Sequence, residues 1–148
     1  WQIRIAGSIA AGTGEAMSKS TATRARPLSP HLSIYRPPIT MTTSIVHRIT
    51  GVALYFGTLL VAWWLIAASI SEQAFATADW VLGSWIGRLV LFGYTWALMQ
   101  HMLGGIRHLI WDTGALFDKH TSTKLAYASL AGSVALTLLI WVVGYSVR

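Results

Sequence analysis

Residues 49–71 read ITGVALYFGTLLVAWWLIAASIS, 23 positions without a charge. About 20 apolar residues in a helix cross a bilayer, because at ~1.5 Å per residue they cover ~30 Å of hydrocarbon with every backbone group bonded internally. The stretch is therefore read as a transmembrane helix, and two more follow. Residues 89–106, LVLFGYTWALMQHMLGGI, carry His101 as their one group titrating near neutrality, and residues 125–147, LAYASLAGSVALTLLIWVVGYSV, are uncharged throughout. The expectation is an all-α membrane protein with three transmembrane helices, at about 42–71, 86–112 and 122–147.

Composition narrows the chemistry. Of 148 residues 54% are hydrophobic and 11% charged, with a mean hydropathy of +0.54 and a mass of 16.2 kDa. Three spans consume most of such a chain, which excludes a soluble catalytic domain hung on an anchor. The absence of cysteine excludes iron–sulfur clusters, thiolate zinc, disulfides and covalent c-type haem in this chain, so a redox centre would need His or Met ligands. Eleven Lys+Arg against five Asp+Glu give a net +6. In a membrane chain such cations set topology and meet anionic lipid; no nucleic-acid binding is read from them.

Residues 1–25 are rich in Ala, Gly, Ser and Thr without sustained apolar periodicity and read as a mobile N-terminal arm. Met17 opens MSKSTATRARPLSPHLS and reads as the initiator, with residues 1–16 upstream or non-native; an intact mass that retains residues 1–16 would contradict this. The anchor is expected over 26–148. Arg26-Pro27-Leu28-Ser29-Pro30-His31 and Tyr35-Arg36-Pro37-Pro38 hold the approach extended, so the first helix starts after Pro38, with Thr40, Thr42 or Thr43 as candidate caps. The connector 72–88 carries Glu72 and Asp79 beside Trp80 and Trp85, whereas the later one holds Arg107, Lys119 and Lys124. Positive-inside bias puts the N-terminus and second loop on the cytoplasmic or matrix side and Arg148 on the other.

That topology brings His47 and Arg48, near the start of the first helix, level with Arg107 and His108 at the end of the second, as a basic ring. His101 is seven residues before His108, about 10 Å deeper and roughly 20° away in direction. A buried histidine at this depth is a ligand or proton relay, or it merely bonds a neighbouring carbonyl. Gly104 and Gly105 between the two imidazoles leave a shelf for a flat macrocycle, or else mark close helix packing. A b-type haem suits the arrangement: His101 on iron, with propionates reaching to His47, Arg48, Arg107 and His108. His47, placed about 10 Å above His101 by the rise argument, cannot be the second ligand, and Met102 points about 100° away. The second ligand is therefore expected from another protein.

Ser44, His47 and Arg48 stand at i, i+3 and i+4, with Gly51 a turn further in. A hydroxyl and a guanidinium on one face suit a quinone, whose reduction develops negative charge on its oxygens. The alternative is that Ser44 is an ordinary first-turn residue and Arg48 a snorkelling topology anchor.

The blocks Arg26-Pro27-Leu28-Ser29-Pro30-His31-Leu32, Ser44-Ile45-Val46-His47-Arg48-Ile49-Thr50-Gly51, and His101 followed by Gly105-Ile106-Arg107-His108-Leu109-Ile110-Trp111-Asp112 resemble the cytochrome b subunits of succinate dehydrogenase, the larger membrane anchor of respiratory complex II. The resemblance covers about residues 24–148. It implies three helices packed with a small anchor subunit around haem b, with flavoprotein and iron–sulfur subunits docked on the cytoplasmic or matrix face. FAD and iron–sulfur clusters would lie in those partners, and ubiquinone would be the substrate at the membrane. By motif position His101 looks like the axial haem ligand and metal-binding residue. His47, Arg48 and His108, with Arg107 in support, look like propionate neighbours, and Ser44 and Arg48 like part of the quinone pocket. The small anchor would supply the other ligand, and Asp112 would be structural or face the iron–sulfur subunit. The chain would then be a subunit of succinate:quinone oxidoreductase, not an enzyme alone, in a bacterial inner membrane or, alternatively, a mitochondrial one. Two alternatives remain: a purely structural anchor without cofactor and, with less support, a proton channel through His101 and His108, which Gly104 and Gly105 leave unbridged.

Overall fold

The computed structural model describes residues 34–147. The expectations for the arm 1–25, for Met17, for the Arg26–His31 stretch and for Arg148 lie outside the described residues. The helices belong to one unit, Arg36–Arg148: α1 (Ile39–Ile70), α2 (Glu72–Gly83), α3 (Trp85–Asp112) and α4 (Lys119–Ser146).

The start of α1 is set by proline, not by threonine. Pro38 is extended at φ −66°, ψ 155° and occupies the capping position without a side-chain cap. Thr42 and Thr43, expected as caps along with Thr40, instead donate their hydroxyls back to the carbonyls of Pro38 (3.4 Å) and Thr40 (3.0 Å). Serines make the next two breaks. Ser71, extended at φ −163°, ends α1, and its hydroxyl accepts from the amide of Ala74 to open α2. Ser84 ends α2 and caps α3 by accepting from the amide of Gly87 at 3.1 Å. Gly87 has to be glycine here, because a Cβ would run into the backbone of Val81 and Leu82. The segment 72–88, expected as a connector, is thus largely a 12-residue helix meeting α3 at 77°.

α1 and α4 are each long and apolar enough to cross a membrane alone, with mean hydropathy 1.9. α3 qualifies only when taken with α2 across their bend. Its 28 residues rise about 42 Å, ample for a span, and of the polar groups that lower its hydropathy Gln100 and Arg107 are turned inward, 1% and 3% exposed, while Arg88 and Asp112 are exposed near its two ends. α3 packs against both α1 and α4. The buried positions are Thr43, Thr50 and Ala67 on α1, Ala78 on α2, Gly87, Ala97, Gln100, Gly104 and Arg107 on α3, and Ala126, Ser129, Ser133 and Thr137 on α4. Large apolar side chains such as Phe56 (63% exposed) face outward. This is membrane packing: lipid tails solvate Leu and Phe as well as protein does, so small residues take the helix contacts. The α4 hydroxyls donate to carbonyls of their own helix, leaving that face without free donors.

Candidate functional site

The site lies where α1 and α3 run antiparallel. Thr43 meets Arg107, His47 meets Gly104, Gly51 meets His101, and Gly57 receives the ring of Tyr94. Two of these pairs are reciprocal. A Cβ on Gly104 would come within 2.5 Å of His47 Nδ1, and one on Gly51 within 3.1 Å of His101 Cε1, so each imidazole fills the gap left by a glycine of the facing helix. The rings of His47 and His101 consequently stack, centroids 3.9 Å apart and 9° from parallel.

This corrects the estimate that His47 lies about 10 Å above His101. Rise along α3 was counted as if His47 stood level with His108; packing sets α1 so that His47 faces Gly104, one turn from His101. The shelf is corrected as well: Gly104 is filled by His47, while Gly105 is open. Stacked rings turn their faces, not their nitrogen lone pairs, to each other, so the two histidines do not bracket a metal between them.

His101 is held through Nδ1, which lies 3.1 Å from the carbonyl of His47 and 3.3 Å from Thr50 Oγ1. Thr50 already donates its own proton to the carbonyls of Val46 and His47, at 2.9 and 3.0 Å. Both neighbours of Nδ1 therefore act as acceptors, which assigns the proton to Nδ1 and the lone pair to Nε2. A metal-ligating histidine is oriented in this way, by a hydrogen bond from its other ring nitrogen. The donor set fits a haem with His101 as ligand.

The basic ring is only partly assembled. His108 sits 5.2 Å from His47 and edge-on to Trp111 at 5.3 Å. Arg107 turns into the α1–α3 contact, where Nη1 donates to Thr43 Oγ1 at 2.7 Å, its guanidinium lies 5.1 Å from the Trp111 ring, and its Nε is buried without a partner. Arg48 points outward, exposed, with no hydrogen bond or ion pair to a described residue. Ser44, half-buried, is on the same face of α1, one turn earlier. Asp112 is exposed at the end of α3. Among the described residues no group of three or more His, Cys, Asp or Glu could hold a metal ion directly.

Sequence reasoning passed over Thr50 and Thr43 as functional residues, and Gln100, which is buried with Oε1 unpartnered. The available signal was spacing: Thr50 lies three residues after His47 and Thr43 four before it, so all three share a face.

A sequence model of the succinate dehydrogenase/fumarate reductase transmembrane subunit matches residues 22–140. The succinate dehydrogenase cytochrome b556 subunit of Paracoccus denitrificans is 50% identical over 118 residues, covering 80% of this chain and 91% of its own. That of Rickettsia prowazekii is 40% identical over 117 residues, covering 79% and 91%. The mitochondrial succinate dehydrogenase cytochrome b560 subunit of Sus scrofa is 41% identical over 91 residues, covering 60% and 54%.

Proposed function

The chain belongs to the succinate dehydrogenase/fumarate reductase transmembrane subunit family, and from that premise we propose that it anchors a succinate:ubiquinone oxidoreductase, holds haem b and forms part of the ubiquinone site. The observation that carries this reading is the position of His101 Nδ1, 3.1 Å from the His47 carbonyl and 3.3 Å from Thr50 Oγ1, which favours a proton on Nδ1 and leaves Nε2 as a ligand. When bound, haem b supplies a one-electron centre within the membrane. His47 and His108 stand nearest as polar neighbours for its propionates, with Arg107 supporting from the helix contact. A small anchor subunit contributes the second ligand, since His47 is stacked rather than opposed to His101.

Ubiquinone is a separate matter for α1. On one face Ser44 and Arg48 offer a hydroxyl and a guanidinium unpaired among the described residues, and a fixed cation stabilises the negative charge that develops on the quinone oxygens. The iron–sulfur clusters, which need thiolates that this chain lacks, reside in the iron–sulfur subunit, and FAD in the flavoprotein. Those partners dock at the end bearing Asp112, Lys119 and Lys124, the cytoplasmic side of a bacterial inner membrane; Lys and Arg set orientation, and that end carries Arg48, Lys119 and Lys124 where the other carries Arg88.

A cofactor-free anchor is the second reading, favoured by the reciprocal packing of His47 and His101 onto Gly104 and Gly51. Pyridine haemochromogen analysis of the purified complex separates the two. About one protohaem per complex supports the first reading, and none supports the second.

A further inference from the structure

At the opposite end of the bundle from His101, residues of all four helices line an open cavity of about 500 Å³, with Asp79 and Arg88 exposed at its mouth. Arg88 on its wall is 13 residues before His101 on α3, about 20 Å of rise away, so this is a separate place in the molecule. The volume is in the ~300–1,000 Å³ range of small-ligand sites. Most of the lining is apolar, with Trp64 from α1, Leu91 from α3, and Ile140 and Trp141 from α4. Two charges interrupt it: Asp79 from α2 and Arg88 from α3. Neither side chain has a hydrogen bond or ion pair with any described residue, and they do not pair with each other.

We propose that this cavity binds one zwitterionic phospholipid, with its phosphate at Arg88, its ammonium at Asp79 and an acyl chain along the tryptophan-lined wall. An opposite pair of charges that share a cavity without bridging complements a headgroup carrying both signs. Guanidinium is a strong partner for phosphate, and carboxylate for ammonium. An anionic headgroup would satisfy Arg88 and be repelled by Asp79, while an uncharged amphiphile would leave both unpaired. The α2–α3 bend sets the geometry, because Ser84 and Gly87 turn the chain sharply enough to bring Asp79 and Arg88 to one cavity.

Gly144 also lines the cavity, and a Cβ there meets nothing within 4 Å. Gly144→Leu therefore fills the space from a helix position that tolerates a side chain, with both charges intact. The test is native mass spectrometry of the assembled membrane complex in detergent, titrated with phosphatidylethanolamine or phosphatidylglycerol. The expected result is one bound phosphatidylethanolamine that Gly144→Leu lacks and that Arg88→Gln binds about threefold more weakly, the scale of an exposed ion pair. Asp79→Asn should abolish the preference over phosphatidylglycerol. Equal phosphatidylethanolamine binding by wild type and Gly144→Leu overturns the proposal, as does a wild type that takes phosphatidylglycerol equally well or carries a quinone in the cavity.

Discussion

His47 and His101 lie face to face, 3.9 Å between ring centroids, each seated against a glycine of the other's helix. The register of α1 on α3 is therefore set at the imidazoles themselves, and substitutions around them should report on the site rather than on the fold at large.

Gly104→Ala brings a methyl within 2.5 Å of His47 Nδ1, whereas Gly105→Ala meets nothing within 4 Å. Overpacking of this kind costs about 1–3 kcal/mol. Gly104→Ala should lower the thermal midpoint of the complex and shift its haem absorption bands; Gly105→Ala should do neither. Equal behaviour of the two variants would contradict the reciprocal seating.

Thr50→Val keeps the shape of the side chain but deletes an acceptor of the His101 Nδ1 proton. Losing such outer partners weakens metal binding by about 10–100-fold, and since the His47 carbonyl remains, the lower end is expected. Haem retention through purification should fall, the midpoint potential should rise as the imidazole becomes less electron-rich, and Thr50→Ser should restore both.

Thr43→Val removes the hydroxyl that accepts from Arg107 within a contact where the two residues are 0% and 3% exposed. A buried charged donor that loses its partner costs about 1.5–3 kcal/mol. The complex should denature at lower temperature, and Thr43→Ser should not.

Arg48 is exposed and has no partner among the described residues, so Arg48→Leu should leave assembly intact. Ubiquinone reductase activity should be lost while succinate oxidation with an artificial acceptor is retained. Equal loss of both would point to failed assembly and count against a quinone role.

Asp118 caps α4, and hydrogen bonds from the Thr121 side chain and then its amide hold its carboxyl below the usual range. The folded value is depressed, so the cap's contribution is complete above the ordinary carboxylate pKa and is lost as pH falls through the lower folded value. Hydrogen exchange of the first turn of α4, corrected for intrinsic rates, should lose protection over that acidic window in wild type, and at every pH in Asp118→Ala.

How much was legible follows from what each inference needed. Uncharged runs around Ile49–Ser71 and Leu125–Val147 reveal spans because the bilayer imposes length and apolarity on the chain itself. Gln100 and Arg107 make α3 less obvious because they are solvated by neighbouring helices instead of lipid. EQAFATADWVLG is too short and too polar to announce α2, and only Ser71 and Ser84 hint at its ends. His101 could be singled out from its depth. Its contact with His47 could not, because rise per residue orders groups along one helix but says nothing of the offset between two, which the glycines decide.

The central claim is that His101, oriented through Nδ1, presents Nε2 to haem iron. Its most direct test is low-temperature electron paramagnetic resonance of the fully assembled complex carrying His101→Ala. The account predicts loss of the wild-type six-coordinate low-spin signal, and an unaltered signal would contradict it.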